Sequence, residues 1–388
     1  MSGSNRPAVL FLLVWLIFGG TASAQFKENF TYRGYFKDLR AVSIDANGNT
    51  LQQNLFHHRI NFRYNMKHNF VGGLELRNRA FYGEFLKYAK GYGDQLEYDP
   101  GLVDLSWSWI NNPAFIAHTA IDRVWLNWSN DKWDVRLGRQ RINWGQNLVW
   151  NPNDLFNVLN YADFDYEERP GSDAVKVERY FKKGGSLQMA YKFTEKPEDR
   201  VMALMYRFNK KNYDFQILAG QYQQDVAAGV GWAGNIKGAG FKGEATWFEP
   251  MTDSSEQAFL TSATIDIVLD KGPYIMISGL FNTLGTSDLS KLLQLTPTAG
   301  GRLDVKRLMP NKYSVFVNGG GAISPLLNAN LAAIGAIDIG GIFLMPSIDY
   351  SLKTNLDLSL VGQSFVGQAD NKWQNLSSAV FLRIKWSY

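Results

Sequence analysis

Cysteine is absent from this sequence of 388 residues, and histidine occurs only four times. Without cysteine, neither a disulfide nor a thiolate metal site is available. Charge of one sign is not in great excess either, because 40 basic and 36 acidic residues leave a net charge of +4. So mild a surplus gives no reason to expect a nucleic-acid partner. The composition predicts a chain that binds no nucleic acid, holds no metal and carries no cofactor.

Long apolar runs are also scarce, and the one that stands out is at the N-terminus. Arg6 is the only charge among the first 24 residues, Val9 to Phe18 is apolar, and a small-residue stretch ends at Ala24. This order is typical of a secretory signal peptide, and its apolar run is about half the roughly 20 residues that a membrane helix needs. We predict a signal peptide over 1–24 and one mature domain over 25–388.

The rest of the chain shows alternation of apolar and polar residues. Near the C-terminus, Val380, Leu382 and Ile384 alternate with Arg383 and Lys385. The same period of two recurs in 59–66, 74–79, 187–193, 202–208, 259–269 and 355–360. Aromatic residues make up 14% of the chain although its mean hydropathy is −0.23. Both features predict antiparallel strands with one apolar and one polar face.

The segments between these runs differ in length. Short polar connectors, which favour hairpins, occur at 130–132, 182–185, 209–212, 270–272 and 353–355. Longer connections are expected near 86–101, 146–172, 249–257, 284–311 and 366–376. Short turns at one end and long loops at the other are typical of an outer-membrane barrel.

Two further features favour a membrane barrel over a soluble sandwich. Tryptophans occur near the ends of the apolar faces, where they suit the lipid headgroup regions; they are Trp107, Trp109, Trp128, Trp133, Trp247 and Trp386. The last strand ends on an aromatic residue, Tyr388. It resembles the C-terminal strand that the assembly machinery of bacterial outer-membrane barrels recognises. We therefore expect outer-membrane lipid and that machinery as partners and the bacterial outer membrane as the location.

The strand count is less regular than the pattern. Nineteen segments qualify as strands, whereas single-chain bacterial barrels have an even number. The weakest are 103–111, beside an Asn-Asn-Pro sequence, and 328–338, which is rich in glycine and alanine. The predicted fold is all-β, a transmembrane antiparallel β-barrel of about 18 strands, with 16 as the alternative, in an up-and-down meander.

One stretch departs from the alternation and concentrates polar residues. It reads RLGRQRINWG at 136–145 and NPNDLF at 151–156, and it opens a connection that continues to Ser172. These motifs resemble porin-like outer-membrane barrels, a group that includes alginate-export-type channels. The stretch from Ile323 to Gly367 resembles their closing strands. The resemblance implies a barrel whose permeability is set by charged lumen residues and inward loops, and it fixes no substrate.

Three roles remain open for this corner of the barrel: a structural buttress, a pore constriction, or a specific binding or catalytic site. Opposed charges at a constriction select permeants by field and size. The candidates for a constriction are Arg139, Arg141, Asp154, Asp163, Asp165, Glu167, Glu168, Arg169 and Asp173. The candidates for the lumen wall are Arg59, Arg63, Glu75, Arg77, Arg79, Asp134, Arg136, Arg207, Asp357, Arg383 and Lys385.

The predicted function is passive diffusion of small hydrophilic solutes through a charged lumen, without enzymatic activity. Mixed charges on the polar faces argue against polyuronate export, but an exporter of an exopolysaccharide or another periplasmic product is the first alternative. A barrel hydrolase is the second. No local pattern joins a histidine to a nucleophile, and the adjacent His57 and His58 face opposite sides of a strand. Oligomeric state stays open.

Overall fold

The computed structural model describes residues 29–45, 48–157, 171–182, 184–270, 272–287, 304–369 and 372–388. The predicted signal peptide lies outside these ranges. Strands dominate the described part of the chain, with two short helices, α1 (Phe85–Tyr88) and α2 (Tyr92–Glu97). Single 3-10 turns occur at Pro197–Asp199 and Val305–Arg307. In the described part of the chain, none of the helices has the length and apolar character required to cross a membrane.

Nineteen strands follow one another along the chain. They are β1 (Phe30–Asp45), β2 (Thr50–Asn65), β3 (Phe70–Tyr82), β4 (Ser106–Asn112), β5 (Phe115–Ser129), β6 (Trp133–Gln140), β7 (Ser172–Tyr180), β8 (Ser186–Lys192), β9 (Val201–Lys210), β10 (Tyr213–Tyr222), β11 (Asp225–Ile236), β12 (Ala239–Pro250), β13 (Ala258–Val268), β14 (Tyr274–Asn282), β15 (Tyr313–Ser324), β16 (Leu327–Ala336), β17 (Gly341–Lys353), β18 (Leu356–Ala369) and β19 (Lys372–Ser387).

These strands close into an antiparallel barrel with 18 positions in its wall. Strand β5 pairs with β3 along nearly its whole length on one edge. On its other edge, the first half of β5 pairs with β4 and the second half with β6. Strands β4 and β6 therefore share one position, and β19 pairs with β1 to close the barrel. The predicted 18-stranded meander is confirmed, and its nineteenth candidate is β4.

The second doubtful segment is a full member of the wall. Strand β16 pairs with β15 on one side and with β17 on the other, in spite of its glycine and alanine content. The expectation of a long connection over 366–376 is wrong, because β18 and β19 extend through most of it with Gln368 paired to Trp373. Ladder hydrogen bonds continue there although the side chains turn polar.

The two ends of the barrel differ in the length of their connections. At one end, called here the short-turn end, adjacent strands are joined by segments of only a few residues, as at 130–132 and 354–355. The opposite end, called the loop end, carries the connections 83–105, 141–171 and 283–312. This is the arrangement of a membrane barrel with short periplasmic turns and long external loops.

The outer surface is an apolar band between aromatic rows. Outward side chains such as Leu204, Ile277 and Val317 are exposed although apolar. Near the loop end, rings of β12 to β15 stand side by side in the order Trp247, Phe259, Phe281 and Tyr313. Near the short-turn end, Tyr206, Phe208, Phe215 and Tyr213 form a similar row. Exposed apolar side chains between such rows identify the lipid-facing surface of a transmembrane barrel.

Candidate functional site

The stretch singled out in the sequence folds into the lumen. Residues 141–157, called here the inner loop, leave β6 and lie against the inward faces of the strands from β7 to β16. Trp144, Val149, Trp150 and Leu155 are buried there with apolar wall residues such as Phe248 and Phe316. Burial of these large side chains holds the loop inside the barrel through the hydrophobic effect. This half of the lumen is therefore filled by protein.

Glu244 on β12 is the main polar anchor of the inner loop. Its carboxylate accepts hydrogen bonds from the backbone N–H groups of Gln146, Asn147 (2.7 Å) and Asn153 (2.9 Å), and from the side chain of Asn151 (3.2 Å). These four contacts give buried donors of the loop an acceptor that they would otherwise lack. One wall carboxylate thus fixes the backbone of the asparagine-rich part of the loop.

Neutral side chains of the wall complete the attachment. Gln216 donates to the carbonyl of Trp144 at 2.7 Å, and the indole N–H of Trp144 donates to Gln188. Ser262 donates to the carbonyl of Trp150 at 2.9 Å. Within the loop, Asp154 is buried and accepts from the backbone N–H of Trp144 at 3.2 Å. The asparagines and Asp154 therefore pair with backbone groups that the apolar packing would otherwise leave unsatisfied.

A second segment, 304–311, enters the lumen from the loop end. Lys306 is buried and donates to Asp225 (2.9 Å), to Ser255 (2.9 Å) and to the carbonyl of Glu256 (2.6 Å). Val305 beside it is fully buried in the same cluster as the inner loop. We call 304–311 the second inner segment. Together with the inner loop it closes the lumen on the side of β7 to β16.

Asp338, in the turn between β16 and β17, holds the far end of this segment. Partial burial of Asp338 raises its pKa, but hydrogen bonds from the backbone N–H of Lys312 (2.9 Å), the side chain of Asn311 (3.1 Å) and the N–H of Tyr313 (3.2 Å) outweigh that effect. The net result is a pKa of Asp338 below its usual range.

On the opposite side, the connection before β4 covers the mouth. Helices α1 and α2 bury Leu86, Tyr92 and Leu96 against the inward side chains Phe81 and Ile116. Further along, Arg139 of β6 fixes the end of this connection. Its guanidinium contacts Asp173 on β7 at 2.6 and 2.8 Å, Asp99 at 2.5 Å and the carbonyl of Val103 at 2.6 Å. Arg139 and Asp173 thus occupy a buried clamp, as a structural buttress requires.

The inward faces of β2, β3 and β5 carry an ion-pair network. Arg59 is fully buried and contacts Glu75 at 2.6 Å and Asp122. Arg77 reaches the other oxygen of Asp122 at 2.9 Å, and Arg123 lies 3.2 Å from Glu75. Buried charges need such mutual pairing because desolvation is costly. The network braces this sector, and basic groups outnumber carboxylates in it.

Next to this network is a row of basic and imidazole side chains, and Asp357 of β18 is opposite Lys385 at its end. The register places Lys385, Lys37, His57, Arg79 and His118 side by side on five neighbouring strands. Lys37, His57 and His118 are buried, and both ring nitrogens of His57 have no hydrogen-bond partner. This row adds positive charge to the wall of the lumen.

The other wall candidates also face inward. Arg136 stacks on Trp125 at 4.4 Å, and Asp134 pairs with Lys176 at 3.3 Å. Arg207 donates to the carbonyl of Asn143 at 3.5 Å, beside a cavity of about 470 Å³ at the short-turn side of the inner loop. Other inward side chains stay accessible to solvent between the two filled regions: Arg63, Asp349, Asp357, Arg383 and Lys385. The open part of the lumen therefore borders β2 and the strands from β17 to β19.

The remaining constriction candidates have different positions. Arg141 is exposed at the start of the inner loop, whereas Asp154 is buried inside it. Asp163, Asp165, Glu167, Glu168 and Arg169 lie outside the described residues.

One contact bears on the hydrolase alternative. Ser106 and His118 are in hydrogen-bond contact at 2.8 Å between the hydroxyl and Nε2. The other ring nitrogen of His118 faces Arg79 at 3.3 Å and must accept, so Nε2 carries the proton and donates to Ser106. The hydroxyl in turn donates to the carbonyl of Leu96 at 3.3 Å. A histidine that donates to the serine cannot act as its general base, and its partner is a cation where a triad has a carboxylate.

Sequence reasoning missed the residues that hold the inward segments. Glu244, Asp122, Asp99 and Lys306 each pair with a group far away in the chain. For Glu244 and Asp122 the only local signal was an acidic residue on a strand, and Asp99 and Lys306 lie in connections where the sequence carried no signal. Nothing in the sequence links Glu244 to a loop that lies about a hundred positions earlier.

No protein-family model matches the sequence, and no curated protein sequence matches it. Solved structures do match. OccAB4 of Acinetobacter baumannii has a TM-score of 0.61 at 8% identity, covering 93% of this chain and 98% of that one. OccK5 (OpdH) of Pseudomonas aeruginosa has a TM-score of 0.58 at 6% identity, covering 94% and 99%. OccAB3 of A. baumannii also has a TM-score of 0.58, at 8% identity, covering 93% and 99%. At such identities the similarity is one of fold, and at that level the resemblance to porin-like barrels is confirmed.

Proposed function

We propose that this chain is a channel of the bacterial outer membrane through which small hydrophilic solutes, anions in preference to cations, diffuse passively. The observation that carries the proposal is the closed barrel with a charged inner wall, part of which stays accessible to solvent between the inward segments. A lipid-facing exterior and a polar interior are what passage of water-soluble molecules across a membrane requires.

The preference for anions rests on the charges of the wall. On β1, β2, β3, β5 and β17 to β19 the inward basic side chains outnumber the acidic ones, which are Glu75, Asp122, Asp349 and Asp357. The basic ones are Lys37, Arg59, Arg63, Arg77, Arg79, Arg123, Arg383 and Lys385. Charge of one sign in a cleft with low-dielectric walls raises the local concentration of ions of the opposite sign. The narrowing itself is assigned to the inner loop and the second inner segment.

Planar-bilayer recording of the purified full chain tests both parts. We expect stable conductance steps and, under a KCl gradient, a reversal potential of the sign that chloride preference produces. Replacing Arg383 and Lys385 by glutamate should move the reversal potential toward cation preference. The matched change Lys210→Glu, at the short-turn rim outside the lumen, should leave it unchanged. A barrel that stays closed until a polymer or a periplasmic partner is added would favour the export alternative and refute passive diffusion.

A further inference from the structure

The cavity on the short-turn side of the inner loop lies away from the open part of the lumen. Its volume is about 470 Å³, and it is lined by the inner loop, by β9 and β10 and by the turn before β8. The loop contributes Asn143, Gly145 and Gln146. In the order of the wall, β9 and β10 are about half of the circumference away from β1 and β19. A molecule held in this cavity therefore contacts both the wall and the loop without blocking the open part.

Two opposite charges line this cavity without forming an ion pair with each other. Arg207 of β9 is opposite Gln216 of β10, and Asp214 comes two residues before Gln216. Diagonal neighbours of this kind have Cβ atoms about 7–8 Å apart. Arg207 extends to the inner loop, where it donates to the carbonyl of Asn143 at 3.5 Å. Asp214 is nearer the turn and accepts from Asn209 at 2.9 Å. The two charges are thus drawn apart.

Both charged groups keep hydrogen-bonding capacity for a further molecule. A guanidinium has five N–H donors, and a carboxylate has about four acceptor positions. In the described part of the chain, Arg207 and Asp214 each have one hydrogen-bond partner. The Asp214 side chain is exposed at the mouth of the cavity. The cavity therefore offers donors toward the loop and an acceptor toward the short-turn end.

We propose that this cavity binds a small zwitterion, a molecule of amino-acid size that carries one carboxylate and one ammonium group. The carboxylate pairs with Arg207, whose planar fork matches its geometry, and the ammonium group pairs with Asp214. Asp214 repels a simple anion and Arg207 repels a simple cation, so only a ligand with both charges gains from both residues. The volume is within the range of about 300–1,000 Å³ that is usual for small-molecule sites.

A ligand in this site also stabilises the attachment of the inner loop. The loop residues Asn143 and Gln146 line the cavity. Each is already tied to the wall through its backbone, Asn143 to Arg207 and Gln146 to Glu244. A ligand that needs both the loop and the wall binds only while the loop is attached. At a hundred times its dissociation constant, such a ligand shifts the balance toward the attached loop by about a hundredfold.

Isothermal titration calorimetry of the purified full chain in detergent tests the site, with L-glutamine as the probe. Acetate and methylammonium, at the same concentration and ionic strength, each present one of the two charges. Glucose presents hydroxyl groups and no charge. We expect glutamine to bind and each of the other three molecules to bind at least tenfold more weakly. Equal binding of any of them, or no binding of glutamine, would overturn the proposal.

A variant of the wall assigns the binding to this cavity. Asp214→Asn removes the partner of the ammonium group, and because Asp214 is exposed we expect the variant to fold, with the heat-dependent electrophoretic mobility of a closed barrel. It should bind glutamine at least tenfold more weakly than the unmodified chain. Asp131→Asn, in an exposed turn at the same end of the barrel, is the matched control and should bind glutamine normally.

Limited proteolysis measures the effect on the loop. Glutamine should slow cleavage within 141–157 in the unmodified chain and in Asp131→Asn, and it should have no such effect in Asp214→Asn. Undiminished binding or protection in Asp214→Asn would refute the site. Because calorimetry and proteolysis do not depend on conduction, normal binding in a barrel that fails to conduct would support the site and refute the channel function alone.

Discussion

Replacing Glu244 by glutamine should release the inner loop from the wall. The carboxylate accepts from three backbone N–H groups of the loop and from Asn151. Glutamine keeps one acceptor oxygen and puts an NH₂ donor where the second was. A buried donor that loses its partner costs about 1–3 kcal/mol. Because Oε1 accepts three of the four contacts, the glutamine oxygen should take its place and leave the NH₂ facing the N–H of Asn153. These two unpaired donors shift the balance between attached and released loop by about 3 kcal/mol, or roughly a hundredfold.

The assay is single-channel conductance combined with limited proteolysis. We expect Glu244→Gln to show larger and noisier conductance steps and cleavage within 141–157 at protease concentrations that leave the unmodified chain intact. Glu249→Gln is the matched control, because Glu249 is on the same strand but exposed and outside the lumen. If Glu244→Gln has the conductance and the protease resistance of the control, Glu244 does not hold the loop and the reasoning is wrong.

Two further predictions concern the other attachments. Arg139→Met should lower the free energy of unfolding by about 3–5 kcal/mol, because it leaves the buried carboxylates of Asp99 and Asp173 without their cation. Urea unfolding in detergent measures this change. The control Arg200→Met, in an exposed loop, should cost little by comparison. For Asp338, whose pKa is lowered in the folded state, stabilisation is fully present above the usual aspartate pKa of about 3.9 and is lost as the pH falls through the lowered value. Hydrogen-exchange protection of the Lys312 and Tyr313 amides should decline over that acid range. In Asp338→Asn this pH dependence should be lost. An identical pH profile in the variant would contradict the role given to the Asp338 carboxylate.

The barrel itself could be predicted from the sequence because its determinants are local. Alternation such as Val380, Leu382 and Ile384 against Arg383 and Lys385 sets which face meets lipid, and a shift of one residue would reverse every side chain. The number of strand positions in the wall was harder to predict, because the pattern of a strand does not indicate whether it shares a position with another strand. The pattern of β4 is that of a strand, but only pairing with half of β5 shows that it adds no position to the wall.

The candidate site was predictable in part for the same reason. The polar stretch from Gly138 to Phe156 interrupts the strand pattern and so predicted a special segment of the barrel, and most of this stretch enters the lumen. Its attachment depends on Glu244, whose contact with Asn147 spans 97 positions. Such pairs are set by the closure of the whole wall, so no window of sequence contains them.

Strands β4 and β6 share one position in the wall. The segment that covers the entrance can therefore change without changing the number of positions in the wall. Among the described residues β4 pairs only with β5, and β5 already has a complete partner in β3. Shortening or exchanging 83–114 would therefore leave the ring of ladder hydrogen bonds closed. The entrance can be remodelled by insertion at this one place, while the shear and diameter of the barrel stay the same.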